Sequence, residues 1–172
     1  TNFGHVVFRQ GNDFLSVDWD DAGPMVGGDV PGDFDGDGDL DLVAGNVGSN
    51  DVSVLLNGGN GQFNSAMNLP VGTGPIVGVP VDLDGDNDLD LFTANFDSNN
   101  VSVLLNNGNG TFAAAVNVTV GTDPHEVIAV DLNGDNRPDL VTTNRQSGNV
   151  SILINNGNGT FAAAVNVTVG DE

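Results

Sequence analysis

The sequence predicts an all-β protein made of four-stranded antiparallel blades, arranged as a β-propeller-like repeat array of about three and a half blades. One observation is an Asp-rich segment at residues 33–41, which returns at 82–90 and at 131–139 with a constant step of 49 residues. A second is the pattern between these segments, where short alternating apolar and polar runs are separated by Gly- and Asn-rich turns. A third is the lack of helical periodicity of useful length.

The third copy of the repeat allows its strands to be assigned. The first strand is predicted at about 125–132, where it enters the Asp-rich segment, and the second at 140–144. A third strand is predicted at 150–154 and a fourth at about 160–169, each after a turn rich in Gly and Asn. Four antiparallel strands in a unit of this length match the size of a propeller blade.

The flanks of the Asp-rich segment repeat with it, which predicts one continuous repeat domain. The predicted boundaries are 24–72 for repeat 1, 73–121 for repeat 2 and 122–172 for repeat 3. Residues 1–23 are predicted to be the last two strands of a preceding repeat, a half blade, because sliding them forward by 98 residues places Phe14 on Phe112. A competing alignment places the Asp-Trp-Asp run at 18–20 on a decayed Asp loop, but it leaves no room for the strands that should follow.

The charge balance is strongly acidic and excludes two classes of partner. The 172 residues include 24 acidic and 3 basic residues, a formal net charge of −21. A nucleic-acid binder needs a cationic surface to displace counterions from phosphates, and an anionic membrane surface requires the same. No apolar run approaches the roughly 18 residues of a spanning helix, so no membrane insertion is expected. Cys is absent, so disulfides do not stabilise the fold.

The three Asp-rich segments, here called the first, second and third Asp loops, have the donor pattern of a calcium site. Ca²⁺ prefers six to eight oxygen ligands, and a short loop supplies them from side chains at positions 1, 3 and 5 and from the carbonyl of position 7. Position 9 would complete the shell. The predicted ligands are Asp33, Asp35, Asp37, the carbonyl of Asp39, and Asp41 in the first loop; Asp82, Asp84, Asp86, the carbonyl of Asp88, and Asp90 in the second; and Asp131, Asn133, Asp135, the carbonyl of Arg137, and Asp139 in the third.

Two features favour metal binding over acidic surface turns. Positions 1, 3, 5 and 9 keep an oxygen-bearing side chain in every copy, whereas position 7 varies from Asp to Arg, as expected if it contributes only its backbone. Without a cation, each pair of neighbouring carboxylates would cost on the order of 1–4 kcal/mol at the dielectric of a protein surface. We therefore expect about three Ca²⁺ ions, and Ca²⁺ over Mg²⁺ because an all-protein oxygen cage suits the larger ion.

These motifs resemble the FG-GAP/VCBS repeat family, whose calcium-bearing blades also occur in integrin α-subunit propellers. The resemblance covers nearly the whole chain and implies that calcium is held in the turn joining the inner two strands of a blade, in a secreted or cell-surface protein. Family propellers close with about seven blades, more than this chain holds. We therefore expect either that the chain is a piece of a longer protein or that another chain, or a second copy, pairs with its open strand edges, as oligomer or filament.

Several other residues carry weaker functional signals. Six Asn-x-Ser/Thr sequons are candidate N-glycan sites: Asn100, Asn109, Asn117, Asn149, Asn158 and Asn166. The same sequences also suit the turns and strands of the repeat. His5 and His125 lack a paired nucleophile and acid, and Trp19 could stack on a sugar but is more simply a packing residue. No catalytic residue is assigned, and the chain is not predicted to be an enzyme.

The leading functional hypothesis is a non-enzymatic extracellular calcium-binding module that acts as a structural or adhesive scaffold and self-assembles through its incomplete blade. A lectin-like module that binds carbohydrate through its blade loops is the first alternative. An accessory domain of a secreted hydrolase is the second.

Overall fold

A computed structural model describes residues 5–10, 13–18 and 26–170, with the backbone alone for the first two ranges and for 26–28. The described residues form β-strands and no helix. The strands are β1 (His5–Gln10), β2 (Asp13–Asp18), β3 (Val26–Gly32), β4 (Asp41–Asn46), β5 (Asp51–Leu55), β6 (Met67–Pro70), β7 (Pro75–Val77), β8 (Leu91–Asn95), β9 (Asn100–Leu104), β10 (Val116–Thr119), β11 (Pro124–Val130), β12 (Asp139–Asn144), β13 (Asn149–Leu153) and β14 (Val165–Thr168).

The strands pair into three four-stranded antiparallel sheets in which each strand lies beside its neighbour in sequence. Blade 1 has the order β3-β4-β5-β6, blade 2 the order β7-β8-β9-β10, and blade 3 the order β11-β12-β13-β14. This arrangement confirms the predicted all-β class and the four-stranded antiparallel blade. Strands β1 and β2 form a separate antiparallel pair, in register from His5 opposite Asp18 to Gln10 opposite Asp13. Trp19 lies outside the described residues, and the predicted domain boundaries stay a prediction.

The fourth strand of a blade is shorter than its sequence suggests. In blade 3 it was expected at about 160–169, but β14 covers only Val165–Thr168. An isolated bridge pairs Phe161 with Asn155, and the segment between Phe161 and β14 is irregular. That segment contains consecutive Ala residues, which have low strand propensity and little side chain to pack across a pleated surface.

The hydrophobic core lies between neighbouring blades, because each sheet buries its faces against the next. The cluster between blades 1 and 2 contains Phe34, Val43, Val52, Val54, Val77, Leu91 and Leu104. The cluster between blades 2 and 3 contains Leu83, Phe92, Ala94, Val101, Val103, Val120, Val127, Leu140 and Leu153. The strands alternate in facing, so Leu91 of β8 points to blade 1 while the adjacent Phe92 points to blade 3.

Buried hydrogen bonds connect the blades at both ends of these clusters. Asn106 of blade 2 donates to the carbonyl of Phe34 in blade 1 at 2.8 Å, and Asn155 of blade 3 donates to the carbonyl of Leu83 at 2.8 Å. At the other end, the linker into blade 2 is held by the bond from the Gly72 N–H to Ser102 Oγ at 3.1 Å. Because Phe34 and Leu83 follow position 1 of the Asp loops, blades 2 and 3 are each bonded directly to the Asp loop of the blade before them.

Candidate metal centre

Each Asp loop joins the first and second strands of its blade. The first loop runs from the end of β3 to Asp41, the first residue of β4, and the third runs from the end of β11 to Asp139, the first residue of β12. In blade 2 the second loop ends at Asp90, which forms an isolated bridge with Val81 before β8 begins. The loop therefore sits at the turn of an antiparallel pair, as the resemblance implied.

Position 1 organises the backbone of every loop. The two carboxylate oxygens of Asp33 accept the N–H groups of Gly36 at 2.9 Å and Gly38 at 3.0 Å. Asp82 and Asp131 accept the equivalent pairs of N–H groups at positions 4 and 6, at distances of 2.7–3.0 Å. These bonds curl the chain around the carboxylate, and positions 4 and 6 adopt positive φ to complete the curl.

Positions 3 and 5 bring further carboxylates to the same point. In the first loop, ligand oxygens of Asp33, Asp35 and Asp37 lie within 4.8 Å of one another. The second loop gathers Asp82, Asp84 and Asp86 within the same distance. The position-1 and position-3 carboxyls are half-buried and the position-5 carboxyl is exposed, so the groups face solvent from one side. Among the described residues, these are the two clusters of at least three acidic or metal-binding side chains.

The third loop has the same backbone but a different charge. Asn133, which is uncharged, stands at position 3. Asp135 at position 5 accepts hydrogen bonds from the backbone N–H of Arg137 at 2.9 Å and from its guanidinium at 2.5 Å. Asp135 and Arg137 therefore form an ion pair inside the loop. The structure thus brings positions 1, 3 and 5 together as three carboxylates in the first two loops, whereas in the third loop Asp135 at position 5 is paired with Arg137.

Position 9 is buried beneath the loop rather than grouped with positions 1, 3 and 5. Asp90 has no exposed surface, and its two oxygens accept the N–H groups of Leu83 at 2.7 Å and Asn106 at 2.8 Å. Asp41 and Asp139 are equally buried and make the equivalent pairs of bonds. This carboxylate ties the Asp loop to the turn that follows the third strand of the blade.

The environment of these carboxylates shifts their titration. Burial raises the pKa of Asp90 to about 6, although its two backbone hydrogen bonds act in the opposite direction. Burial also raises the pKa of Asp41, and burial together with the neighbouring charge of Asp86 raises the pKa of Asp84. In contrast, the hydrogen bonds from Gly134 and Asn136 lower the pKa of Asp131. The ionised forms of Asp41, Asp84 and Asp90 are therefore disfavoured, and a nearby cation would favour them.

The donor set of the first two loops fits calcium. Three carboxylates converge on one point, the donors are all hard oxygens, and the loop backbone is already fixed by the bonds to position 1. Soft-metal ligands are not part of the group, since the chain has no Cys and the described cluster contains no His. The predicted roles of the position-7 carbonyls and of Asp41, Asp90 and Asp139 as ligands stay predictions.

Two elements of the site were not recognised from the sequence. Position 6 needs a residue that tolerates positive φ, and Gly38, Asn87 and Asn136 supply it with φ of 91°, 74° and 63°. The Asn that follows the third strand bonds to the carbonyl of position 8 in its own loop, and in Asn106 and Asn155 also to the preceding blade. The repeat of Gly or Asn at position 6 was a visible signal for the first.

The sequons divide into two groups by exposure. Asn109, Asn117, Asn158 and Asn166 are exposed, whereas Asn100 and Asn149 are half-buried. The Asn100 carboxamide oxygen accepts a bond from Asn95 at 2.7 Å, within a polar network that also includes Ser102. Glycan attachment stays a prediction, and the exposed group is the one compatible with it. His125 is exposed, and the side chain of His5 lies outside the description.

A family model described as an FG-GAP-like repeat matches residues 33–93, 82–142 and 131–172. The chain belongs to the FG-GAP-like repeat family. The three matches begin at position 1 of the three Asp loops, so the family assignment and the loop geometry concern the same residues. No curated protein matches the FG-GAP chain.

Solved structures with a similar fold include a lectin of Agrocybe aegerita described by its specific recognition of non-reducing terminal N-acetylglucosamine. Identity is 25% and the TM-score is 0.57, over 82% of this chain and 38% of the lectin. The Tc holotoxin pore of Photorhabdus luminescens matches at 21% identity and a TM-score of 0.49, over 82% of this chain and 7% of that chain. TcdB2-TccC3 matches at 20% identity and a TM-score of 0.46, over 86% of this chain and 8% of that chain. The FG-GAP chain thus spans well under half the length of each.

No helix among the described residues is long and apolar enough to cross a membrane.

Proposed function

We propose that the chain is a non-enzymatic calcium-binding module that acts as a structural scaffold outside the cell. The observation that carries the proposal is the convergence of three carboxylates within 4.8 Å in two loops that occupy the same place in successive blades. Such groups repel one another in the absence of a cation, and the cost is repeated in each blade. A calcium ion at each loop would turn this repulsion into a net stabilisation of the blade.

The hydrogen bonds around the loop would carry that stabilisation into the sheet. In the second loop, Asp82, Asp84 and Asp86 would hold the ion, while Asp90 fixes the end of the loop to the backbone of Asn106. Asn106 in turn bonds to the first Asp loop of the preceding blade. Ordering of one loop by calcium would therefore also order its contact with the adjacent blade.

Calorimetric titration of the chelator-stripped chain with calcium tests the proposal. Removing position-1 charges in the first two loops, with Asp33→Asn and Asp82→Asn together, should abolish most of the binding heat. Asp97→Asn is the matched control, because Asp97 is an exposed acid outside the loops and its loss should leave the titration unchanged. An unchanged titration in the double variant would contradict the proposed sites.

An extracellular setting follows from the calcium proposal. Calcium sites of extracellular modules have dissociation constants of about 10⁻⁴–10⁻³ M, and loops whose carboxylates face solvent from one side are consistent with this range. The high negative charge keeps such a module soluble and separate from nucleic acids.

Carbohydrate binding is the second candidate function, and the similarity to the Agrocybe aegerita lectin favours it. The test is a glycan array that includes terminal N-acetylglucosamine, probed in calcium and in EGTA. Binding to a defined sugar would support the lectin function, and the lack of binding to any glycan in either buffer would contradict it.

A second copy of the chain is the proposed partner, and the open face of blade 3 is the proposed contact. Leu132 is 49% exposed, whereas Leu83 and Phe34 at the equivalent positions are each 1% exposed, because the following blade covers them. Val169 is 47% exposed and its equivalent Val120 is 8% exposed. In the first two interfaces the occupant of this face is another FG-GAP blade, so a blade of a second copy has the matching shape and chemistry.

This contact would be mainly apolar. In the first two blades, Asn50 and Asn99 accept a backbone N–H from the linker into the next blade, but Gly148 stands at the equivalent position of blade 3 and has no such side chain. Native mass spectrometry in millimolar calcium should give dimers or larger assemblies. Leu132→Asp should shift the distribution to monomers, and Val79→Asp, at a residue of blade 2 that is 75% exposed and outside the Asp loops, is the control. A wild-type chain that is wholly monomeric would contradict self-assembly.

A further inference from the structure

The third Asp loop contains a positively charged side chain, Arg137, whereas the first two loops contain none. Counted over positions 1, 3, 5, 7 and 9, the first and second loops each have five Asp residues, whereas the third has three Asp, one Asn and one Arg. The guanidinium of Arg137 lies 2.5 Å from Asp135 Oδ2, at the position-5 carboxylate. Asp39 and Asp88, which occupy the place of Arg137, bring negative charge instead.

We infer that Arg137 replaces part of the calcium charge in the third loop, so that this loop binds calcium more weakly than the other two and keeps its shape without it. This inference rests on the calcium-binding function proposed above. Affinity in such loops follows the number of ligand charges, so a loop with fewer carboxylates and an internal cation should bind at least about tenfold more weakly.

The geometry of the third loop supports its independence from an ion. Its backbone bonds match those of the other loops: Asp131 accepts the N–H of Gly134 at 2.8 Å and of Asn136 at 2.9 Å. The Asp135–Arg137 pair is partly exposed, with 26% and 45% of the side-chain surfaces accessible, so its own contribution to stability is small. The ion pair acts on calcium binding within the loop, because the guanidinium is bound to Asp135 Oδ2, an oxygen that could otherwise bind the ion.

The place of the Arg137 side chain also permits a clean substitution. The side chain lies across Gly157, in the turn after β13, with its Cδ 2.9 Å from where a Cβ of that residue would stand. Asp39 and Asp88 lie across Gly59 and Gly108 in the same way. Arg137→Asp therefore installs a residue that this fold already accommodates twice.

The test is a calcium titration of the chelator-stripped chain followed by ¹H–¹⁵N NMR. The amides of Gly36, Gly85 and Gly134 each donate to the position-1 carboxylate of one loop and report on the three loops separately. In the wild type, the Gly134 signal should respond at a calcium concentration at least about tenfold higher than the other two. Arg137→Asp should bring the Gly134 response to within about threefold of theirs.

Two further variants isolate the role of the arginine. Arg145→Asp is the control, because Arg145 pairs with Asp123 outside the loops and its loss should leave the order of responses unchanged. Asn133→Asp adds a carboxylate while keeping Arg137; a full recovery of affinity in this variant but none in Arg137→Asp would overturn the inference. Simultaneous responses of all three glycines in the wild type would overturn it while leaving the calcium function intact. No response at any glycine would overturn both.

Discussion

The buried Asp at position 9 is the residue on which the loop and the sheet both depend. Asp90 accepts one N–H from inside its own loop and one from Asn106 beyond the third strand, 16 residues along the chain. A carboxylate can accept both bonds because both of its oxygens are acceptors, whereas a carboxamide has one acceptor and one donor. The residue therefore has a structural role that does not require an ion.

Asp90→Asn is predicted to destabilise the chain by about 1–3 kcal/mol even in EGTA, because one buried N–H loses its acceptor and faces another donor. Denaturant unfolding monitored by circular dichroism measures the change. Asp84→Asn is the matched control in the same loop: burial and then repulsion by Asp86 raise the pKa of Asp84, so loss of its charge should not lower stability in EGTA. Equal losses in both variants would contradict the separate role of position 9.

The convergence of positions 1, 3 and 5 in the first two loops could be predicted from the sequence, whereas their role as metal ligands stays a prediction. Oxygen-bearing side chains stand at every second position of the loop. Because the loop is short and curled, these side chains converge. The second role of Asp90 was not predictable, because its partner Asn106 is brought near by the pairing of β8 with β9 and not by sequence proximity. The sequence predicted a role for Arg137 only through its backbone carbonyl. Its ion pair with Asp135 depends on the direction of the side chain, which a sequence does not give.

At the scale of elements, the bond between successive blades repeats with the same 49-residue step as the strands. Asn106 and Asn155 each donate to a carbonyl in the preceding blade, 72 residues earlier. Asn57 occupies the same position in blade 1 and, among the described residues, its carboxamide donates to Leu40 in its own loop at 3.1 Å.

Asn106→Ala should therefore cost more stability than Asn57→Ala, by about 1–3 kcal/mol, because it also leaves the buried carbonyl of Phe34 without the side-chain donor. Chemical denaturation of the two variants in the same calcium buffer gives the difference directly. The Phe34 carbonyl also accepts the N–H of Gly110, so it keeps one donor in the Asn106 variant. The lower end of the expected range of stability loss takes this remaining bond into account. Equal losses would show that the bond between blades adds nothing.

Strand β3 contains a half-buried acid, Asp29, that belongs to no Asp loop. Burial raises the pKa of Asp29 to about 6, and its Oδ1 has no hydrogen-bond partner among the described residues. Because the folded-state pKa lies above the unfolded value of 3.8, the folded chain binds this proton more tightly. The associated stability is therefore present below about pH 4 and is lost as the pH rises through about 6.

Asp29→Asn is predicted to be more stable than the wild type at pH 7 and equal to it near pH 4. Thermal unfolding across this pH range, with calcium constant, measures the difference. A difference between the two chains that did not change with pH would contradict the assignment of the raised pKa to Asp29.

For the whole molecule, the strands within each blade could be predicted from the sequence, but the packing of one blade against the next could not. The all-β class and the four-stranded meander followed from a step that repeats through Phe63, Phe112 and Phe161. The location of the core between sheets, and the open face of blade 3, are properties of stacking and depend on which blade follows which. The exposed Leu132 shows this, since it occupies the same position in its Asp loop as the buried Leu83.

The net charge of −21 also acts on the molecule as a whole. Ten of the acidic residues lie at the odd positions of the first two Asp loops, so the charge is concentrated where calcium would neutralise it. Removal of calcium should therefore loosen blades 1 and 2 before blade 3, where Arg137 reduces the local repulsion.

Thermal unfolding of the full chain in millimolar calcium and in EGTA tests the central claim most directly. A ligand that binds only the folded chain stabilises it by about 1.4 kcal/mol per site at ten times its dissociation constant, which millimolar calcium provides for a dissociation constant of about 10⁻⁴ M. For a chain of this size we predict that EGTA lowers the unfolding temperature by at least about 5 °C, with the value restored by added calcium. Identical unfolding temperatures in calcium and in EGTA would contradict the account.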